Sequence, residues 1–181
     1  MNVKVIFLCF LFFGIGIKNS NAQQQQKLID KCACCTEAHQ SFDFWIGDWT
    51  VYDSNGNILG TNSIKKEYDN CVLWEQWKSA GINHGTSYNY YNTSDKTWNQ
   101  VWIDNSGYNL TLKGNYIDGK MILKSNLLQG ENGDYYNQIT WNTNKDGSVL
   151  QTWEVFNKDG KKTQELFKGI YKKTLNNTKI K

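Results

Sequence analysis

The 181-residue sequence has no proline, no arginine and only two histidines, His39 and His84. After Lys18 it has no apolar run approaching membrane length. Each absence excludes something. Without proline, strand ladders can run uninterrupted, because every residue keeps its backbone donor. Without arginine, the side chain best suited to reading base edges is missing, and no basic run interleaved with aromatics replaces it, so no nucleic-acid partner is expected. The motifs G-x-S-x-G and H-E-x-x-H, a glycine-rich phosphate loop and a P-loop lysine are also missing. No catalytic residue, cofactor or resident metal is therefore assigned. Glu75 would act as an acid/base group only if Asp104 or Glu154 converged on it, and Glu154 points away from the lumen by strand parity.

What is present begins with an export signal. Lys4 precedes the apolar run Val5 to Ile17, and Ser20-Asn21-Ala22 is a small-x-small cleavage site followed by polar Gln23 to Gln26. Such a run spans about 20 Å as a helix, too short for a bilayer. Residues 1–22 are read as a signal peptide; the alternative is an uncleaved N-terminal anchor. The mature protein is expected in the periplasm or outside the cell, without stable membrane insertion. It would carry 18 lysines against 17 acidic residues, a net charge of +1. Its four cysteines, Cys32, Cys34, Cys35 and Cys71, form an even set, which in an exported protein favours disulfides with three connectivities open. A bridge from the 23–40 segment to Cys71 is expected. A soft-ligand metal cluster of Cys32, Cys34 and Cys35 with His39, or free thiols, are the alternatives.

From Asp48 onward the apolar period is two, punctuated by turn signals. Strands are expected over 49–52, 58–68, 72–79, 86–91, 97–104, 108–117, 121–128, 135–142, 149–156 and 161–172. Asn55-Gly56, Asp118-Gly119, Asp146-Gly147 and Asp159-Gly160 are pairs favoured in two-residue hairpin turns. Near-continuous hairpins make an up-and-down antiparallel meander, and about ten such strands avoid exposed edges most simply by closing into a barrel. An open sheet or a sandwich is the alternative. The expected organisation is an all-β barrel domain over 41–173, preceded by a short helix or plug and followed by a polar tail over 174–181. His84 falls in the loop after the third strand.

Parity assigns the inner face. Leu110 and Leu112 alternate with Thr111 and Lys113, and Lys78 marks the outer side of the third strand. In 97–104 parity alone leaves two faces open, Trp98, Gln100 and Trp102 or Asn99, Val101 and Ile103, and the tryptophan face is taken as inner. Inward positions then include Glu75, Trp77, Gln100, Trp102, Trp141, Gln151 and Trp153. Aromatic walls with sparse polar groups suit a small amphipathic or ring-bearing ligand. Glu75, Gln100 and Gln151 would orient it, and Trp77, Trp102, Trp141 and Trp153 would stack on it. A core filled by its own side chains, in a monomeric barrel serving as a structural or protein-interaction module, is the alternative.

Gly47-Asp48-Trp49 at the head of the first strand resembles the Gly-x-Trp of lipocalins and the wider calycin group. The longer stretch Phe42-Asp43-Phe44-Trp45-Ile46-Gly47-Asp48-Trp49 resembles the opening of a family of exported bacterial proteins of unknown function placed near the calycins. Trp98 to Asp104, Ile139-Thr140-Trp141, Gln151-x-Trp153-Glu154 and Phe167 to Tyr171 extend the similarity over about residues 41–172. The resemblance implies a lipocalin-like barrel in which Gly47 and Trp49 help close the base, and it brings no established activity. Distantly related nitrobindin-type barrels bind haem through a histidine near the C-terminus. This chain has none in its last strands, so haem ligation of that kind is not expected.

Overall fold

The computed structural model describes residues 32–174. The expected signal peptide, the polar 23–31 stretch and the tail beyond Thr174 lie outside the described residues.

A short helix α1 (Glu37–Gln40) and a 3-10 turn (Asp43–Trp45) lead into ten strands. These are β1 (Gly47–Tyr52), β2 (Ile58–Glu67), β3 (Val72–Ser79), β4 (His84–Asn92), β5 (Thr97–Asp104), β6 (Asn109–Ile117), β7 (Lys120–Lys124), β8 (Tyr135–Thr143), β9 (Val149–Asn157) and β10 (Lys162–Lys173). Every strand pairs antiparallel with its sequence neighbours, and β1 also pairs with β10, so the meander closes into a barrel. Closure removes both sheet edges, which otherwise present unpaired backbone groups. Register shifts in β10 opposite β9 bend that strand as it completes the wall.

The alternation read from the sequence sets the interior. Leu73, Glu75, Leu110, Leu112, Gln100, Ile139, Trp141 and Tyr171 are all buried, and Lys78, Lys113 and Lys172 are exposed. Glu154 faces out and pairs with Lys162 at 2.8 Å.

Three local expectations are corrected. Of the four Asx-Gly pairs, only Asp118-Gly119 has positive φ at both residues (50° and 81°), as a two-residue turn requires. At the other sites an Asp or Asn three residues before the glycine starts a longer turn. Its backbone carbonyl accepts from the glycine N–H at Asp53, Asn144 and Asn157. The Asp53 carboxylate also accepts from the N–H groups of Asn55 and Asn57, each at 2.8 Å. Next, β7 ends at Lys124 instead of continuing to residue 128, because Ser125 turns the chain: its hydroxyl donates to the Asn126 carbonyl and accepts from the Asn137 N–H. Lastly, His84 opens β4 opposite Lys78 and is no loop residue.

One end of the barrel is closed by the residues just before β1. Phe42 stacks on Trp45 at 5.0 Å and meets Trp98 and Trp141 edge-on at 5.5 and 5.1 Å. The Trp49 indole N–H donates to the Trp45 carbonyl at 2.8 Å, and the Lys173 ammonium lies 3.8 Å over the Trp49 ring. Trp98 donates to the Ala38 carbonyl and the Ser41 hydroxyl, which ties α1 to the barrel wall. Gly47 opens β1 at φ 132°, a conformation other residues rarely adopt, directly against Lys173.

Two disulfides pin the lead-in. Cys34–Cys71 joins it to the β2–β3 turn, and Cys32–Cys35 closes a tight loop beside it. Their presence suits a non-reducing compartment. The metal alternative finds no support: these sulfurs are consumed, His39 Nδ1 sits 2.7 Å from the Thr36 hydroxyl, and no metal-holding cluster occurs among the described residues. No described helix is long and apolar enough to cross a membrane.

Candidate functional site

The other end of the lumen opens into a cavity of about 360 Å³. It is organised in layers because the odd-numbered strands run in one direction. Along β3 the inward residues are Leu73, Glu75 and Trp77; along β5 they are Trp98, Gln100 and Trp102; along β9 they are Val149, Gln151 and Trp153. Each triplet runs from a fully buried apolar residue at the closed end, through a carboxyl or amide, to a half-buried tryptophan at the mouth.

Six of the seven expected ligand residues therefore line the cavity: Glu75, Trp77, Gln100, Trp102, Gln151 and Trp153. Trp141 does not. It is on β8, which runs the opposite way, so its position beyond Ile139 carries it down to the plug, where it packs on Phe42 and Trp45. The expectation that Trp141 stacks on a ligand is corrected for that reason: parity fixes the face but not the depth.

The polar layer is one connected hydrogen-bond arc. Gln100 donates to Asn89 Oδ1 at 2.8 Å, and Asn89 donates to the Ser87 hydroxyl at 2.8 Å. Ser87 donates to Glu75 Oε2 at 2.5 Å, and Asn62 donates to Glu75 Oε1 at 2.7 Å. Asn62 also reaches the Tyr171 hydroxyl, which donates to Gln151 Oε1. The arc passes through β5, β4, β3, β2, β10 and β9, while Leu110 and Ile139 supply the apolar wall opposite. Burial pushes the Glu75 carboxyl up to about 7, against the hydrogen bonds from Ser87 and Asn62 that favour its charged form. Burial, with the nearby Glu75, holds the Tyr171 phenol well above its usual range.

The wall aromatics are seated on glycines. A Cβ at Gly85 would overlap the Trp102 ring, one at Gly60 would meet the Trp77 ring, and one at Gly169 would meet Phe167. Trp77 also meets Phe167 edge-on at 5.9 Å, and Trp153 donates to Asn137 Oδ1 at 2.8 Å while stacking on Tyr108. His84 and Asp104 stand at the mouth. The Asp104 carboxylate caps its own turn, accepting from Ser106 and Tyr108, and the Ser106 hydrogen bond holds it below the usual carboxylate range.

Neither a protein-family model nor a curated protein matches this chain.

Sequence reasoning missed Asn62, Ser87, Asn89 and Tyr171 as members of the polar layer. The available signal was the recurrence of apolar-x-(Glu or Gln)-x-Trp on strands of like direction. It would have marked one level of the barrel as polar and led to the inward residues of the even strands at that level. The in-strand glycines Gly60 and Gly85 were a second signal, since a glycine inside a strand often marks a close approach.

Proposed function

We propose that this is an exported, lipocalin-like barrel that binds a small amphipathic or ring-bearing ligand in its lumen without transforming it. The observation that carries the reading is the open, layered cavity: half-buried tryptophans at its mouth and a hydrogen-bonded polar floor beneath. Aromatic walls supply contact area, and the few polar groups fix orientation. A lumen filled by its own side chains would favour an interaction module, and a cavity of about 360 Å³ argues against that. Catalysis would need a second titratable group converging on Glu75. Asp104 is engaged in capping its turn, Glu154 pairs with Lys162 on the outside, and the Tyr171 hydroxyl beside Glu75 donates to Gln151 and is held protonated by its burial. The protein acts as a monomer, needs no cofactor, and belongs in the periplasm or extracellular space, in keeping with its disulfides.

Native mass spectrometry of the protein from its own host's envelope fraction tests this. The expected result is a retained small-molecule mass that is lost when Trp102 is replaced by alanine. A bare protein whose tryptophan fluorescence no host extract perturbs would overturn it.

A further inference from the structure

Glu75 is out of keeping with its surroundings. The residue is 4% exposed, and taking a carboxylate out of water is costly unless a cation faces it. Its partners, the Asn62 amide and the Ser87 hydroxyl, are neutral. None of the ion pairs among the described residues includes it. The other titratable groups facing the cavity are Tyr171 at the floor and His84 and Asp104 at the mouth. Although the chain has 20 lysines and no arginine, none of the described lining residues is basic apart from His84. Tyr171 stays protonated at neutral pH, and the Asp104 carboxylate is taken up by Ser106 and Tyr108 of its own turn, so among the described lining residues the acid that a guest meets at the floor is Glu75.

We propose that the lumen takes an organic amine, with its ammonium seated on Glu75 and its ring or short apolar body against Trp77, Trp102 and Trp153. This rests on the lumen-binding reading and names the ligand class. An ammonium is the counter-ion that the buried carboxyl lacks. Each Glu75 oxygen accepts one hydrogen bond from the protein and keeps capacity for another. Gln100 spends its amide N–H groups on Asn89 and Ser87, so its carbonyl oxygen is left to accept from a guest. Tryptophan faces attract cations electrostatically, most strongly where water is excluded. An anionic guest would bring a second negative charge beside Glu75. When the amine binds as its ammonium, a Glu75 carboxyl that was protonated releases its proton to solvent. Binding should therefore strengthen as pH rises toward 7, by up to about tenfold per unit.

Isothermal titration of the disulfide-intact protein with two matched probe series tests the proposal. One series is 2-phenylethylammonium, 2-phenylethanol and 3-phenylpropanoate; the other carries the same head groups on an indole ring. The ammonium probe should bind roughly tenfold or more tighter than the alcohol or carboxylate of its series. Titrations in buffers of different ionisation enthalpy should show proton release at about pH 6. Glu75→Gln should abolish the preference while the alcohol still binds, and Asp104→Asn should keep it. A tighter alcohol or carboxylate, or a preference that survives Glu75→Gln and disappears in Asp104→Asn, overturns the amine proposal and leaves lumen binding standing. Should Glu75→Gln fail to fold, ammonium binding to the wild type without proton release overturns it equally. No binding by any probe at millimolar concentration overturns both.

Discussion

The two ends of the lumen are built from the same residue type and do opposite things with it. At the closed end Trp45, Trp49, Trp98 and Trp141 are 0%, 1%, 3% and 0% exposed, and they pack on Phe42, Tyr171 and one another. At the open end Trp77, Trp102 and Trp153 are half-buried, lean on glycines or an asparagine, and leave a cavity between them. A tryptophan stabilises in proportion to the apolar area it removes from water. The closed set realises that gain on folding, whereas the open set leaves part of its ring area uncovered, which a guest in the proposed lumen site would cover. Stability and binding should therefore respond to different tryptophans.

The largest expected effect is at the closed end. Trp49→Ala removes a buried ring, the hydrogen bond to Trp45 and the seat of the Lys173 ammonium. It should lower unfolding free energy by about 4 kcal/mol, as large aromatic truncations in cores do. Urea denaturation measures this, and ligand affinity measured well below the transition should stay close to wild type. A Trp49→Ala protein that melts normally but loses its ligand would erase the distinction between the two ends.

Next is the staple beside the plug. Cys34 and Cys71 are 37 residues apart in sequence, so their bridge closes a long loop. The double change Cys34→Ser/Cys71→Ser should cost about 3 kcal/mol. Cys32→Ser/Cys35→Ser, which opens a loop with a separation of 3, should cost markedly less. Paired denaturation curves under non-reducing conditions check the order; equal losses would mean that the plug does not depend on the link to the β2–β3 turn.

Much of this contrast was legible in the sequence. Alternation in β3 and β9 placed Glu75, Gln151 and the tryptophans beside them on the inner face, the tryptophan face of β5 with Gln100 had to be chosen over that of Val101 and Ile103, and the hairpin signals implied the meander and its closure. Depth along the barrel was harder to see. Period two says which side of the sheet a residue faces, while depth depends on strand direction and on how far each strand is staggered against the next. Trp141 and Trp153 have the same parity, but their strands run in opposite directions, so one plugs and the other lines. Turn type was half visible for a similar reason. The Asx-Gly pairs marked the turns, but the residue that shapes most of them is the Asp or Asn three positions before the glycine, whose bonding becomes plain only when the backbone is seen.

At the level between the two ends, Glu75 reverses the usual expectation for a buried polar deletion. Its folded pKa is about 7, raised from 4.5, so the folded protein binds this proton more tightly than the unfolded chain. Stability is then greatest below pH 4.5 with respect to this group, and it is lost as pH rises through 7. Above that pH the loss reaches up to about 3 kcal/mol. Glu75→Gln keeps the volume and removes the titration. It should raise the melting temperature at about pH 8 and change it little at about pH 5. Identical pH profiles for the two proteins would mean that the carboxyl is not desolvated, and the floor of the cavity would then be wetter than its burial implies.

The smallest stability change should come with a clear binding change, and it sits at the mouth. Trp153→Phe keeps an aromatic wall facing Tyr108 but deletes the indole donor to Asn137. Losing one neutral hydrogen bond at a half-buried site should cost about 1 kcal/mol. The replacement is also smaller, so the cavity widens at the level where a ring would rest, and affinity for a ring-bearing ligand should fall by more than stability does. Measuring both on one sample places Trp153→Phe opposite Trp49→Ala, with large binding and small stability effects in one and the reverse in the other. If Trp153→Phe instead unfolds the barrel as readily as Trp49→Ala, the mouth carries core stability, and the half-buried tryptophans are not a surface held back for a ligand.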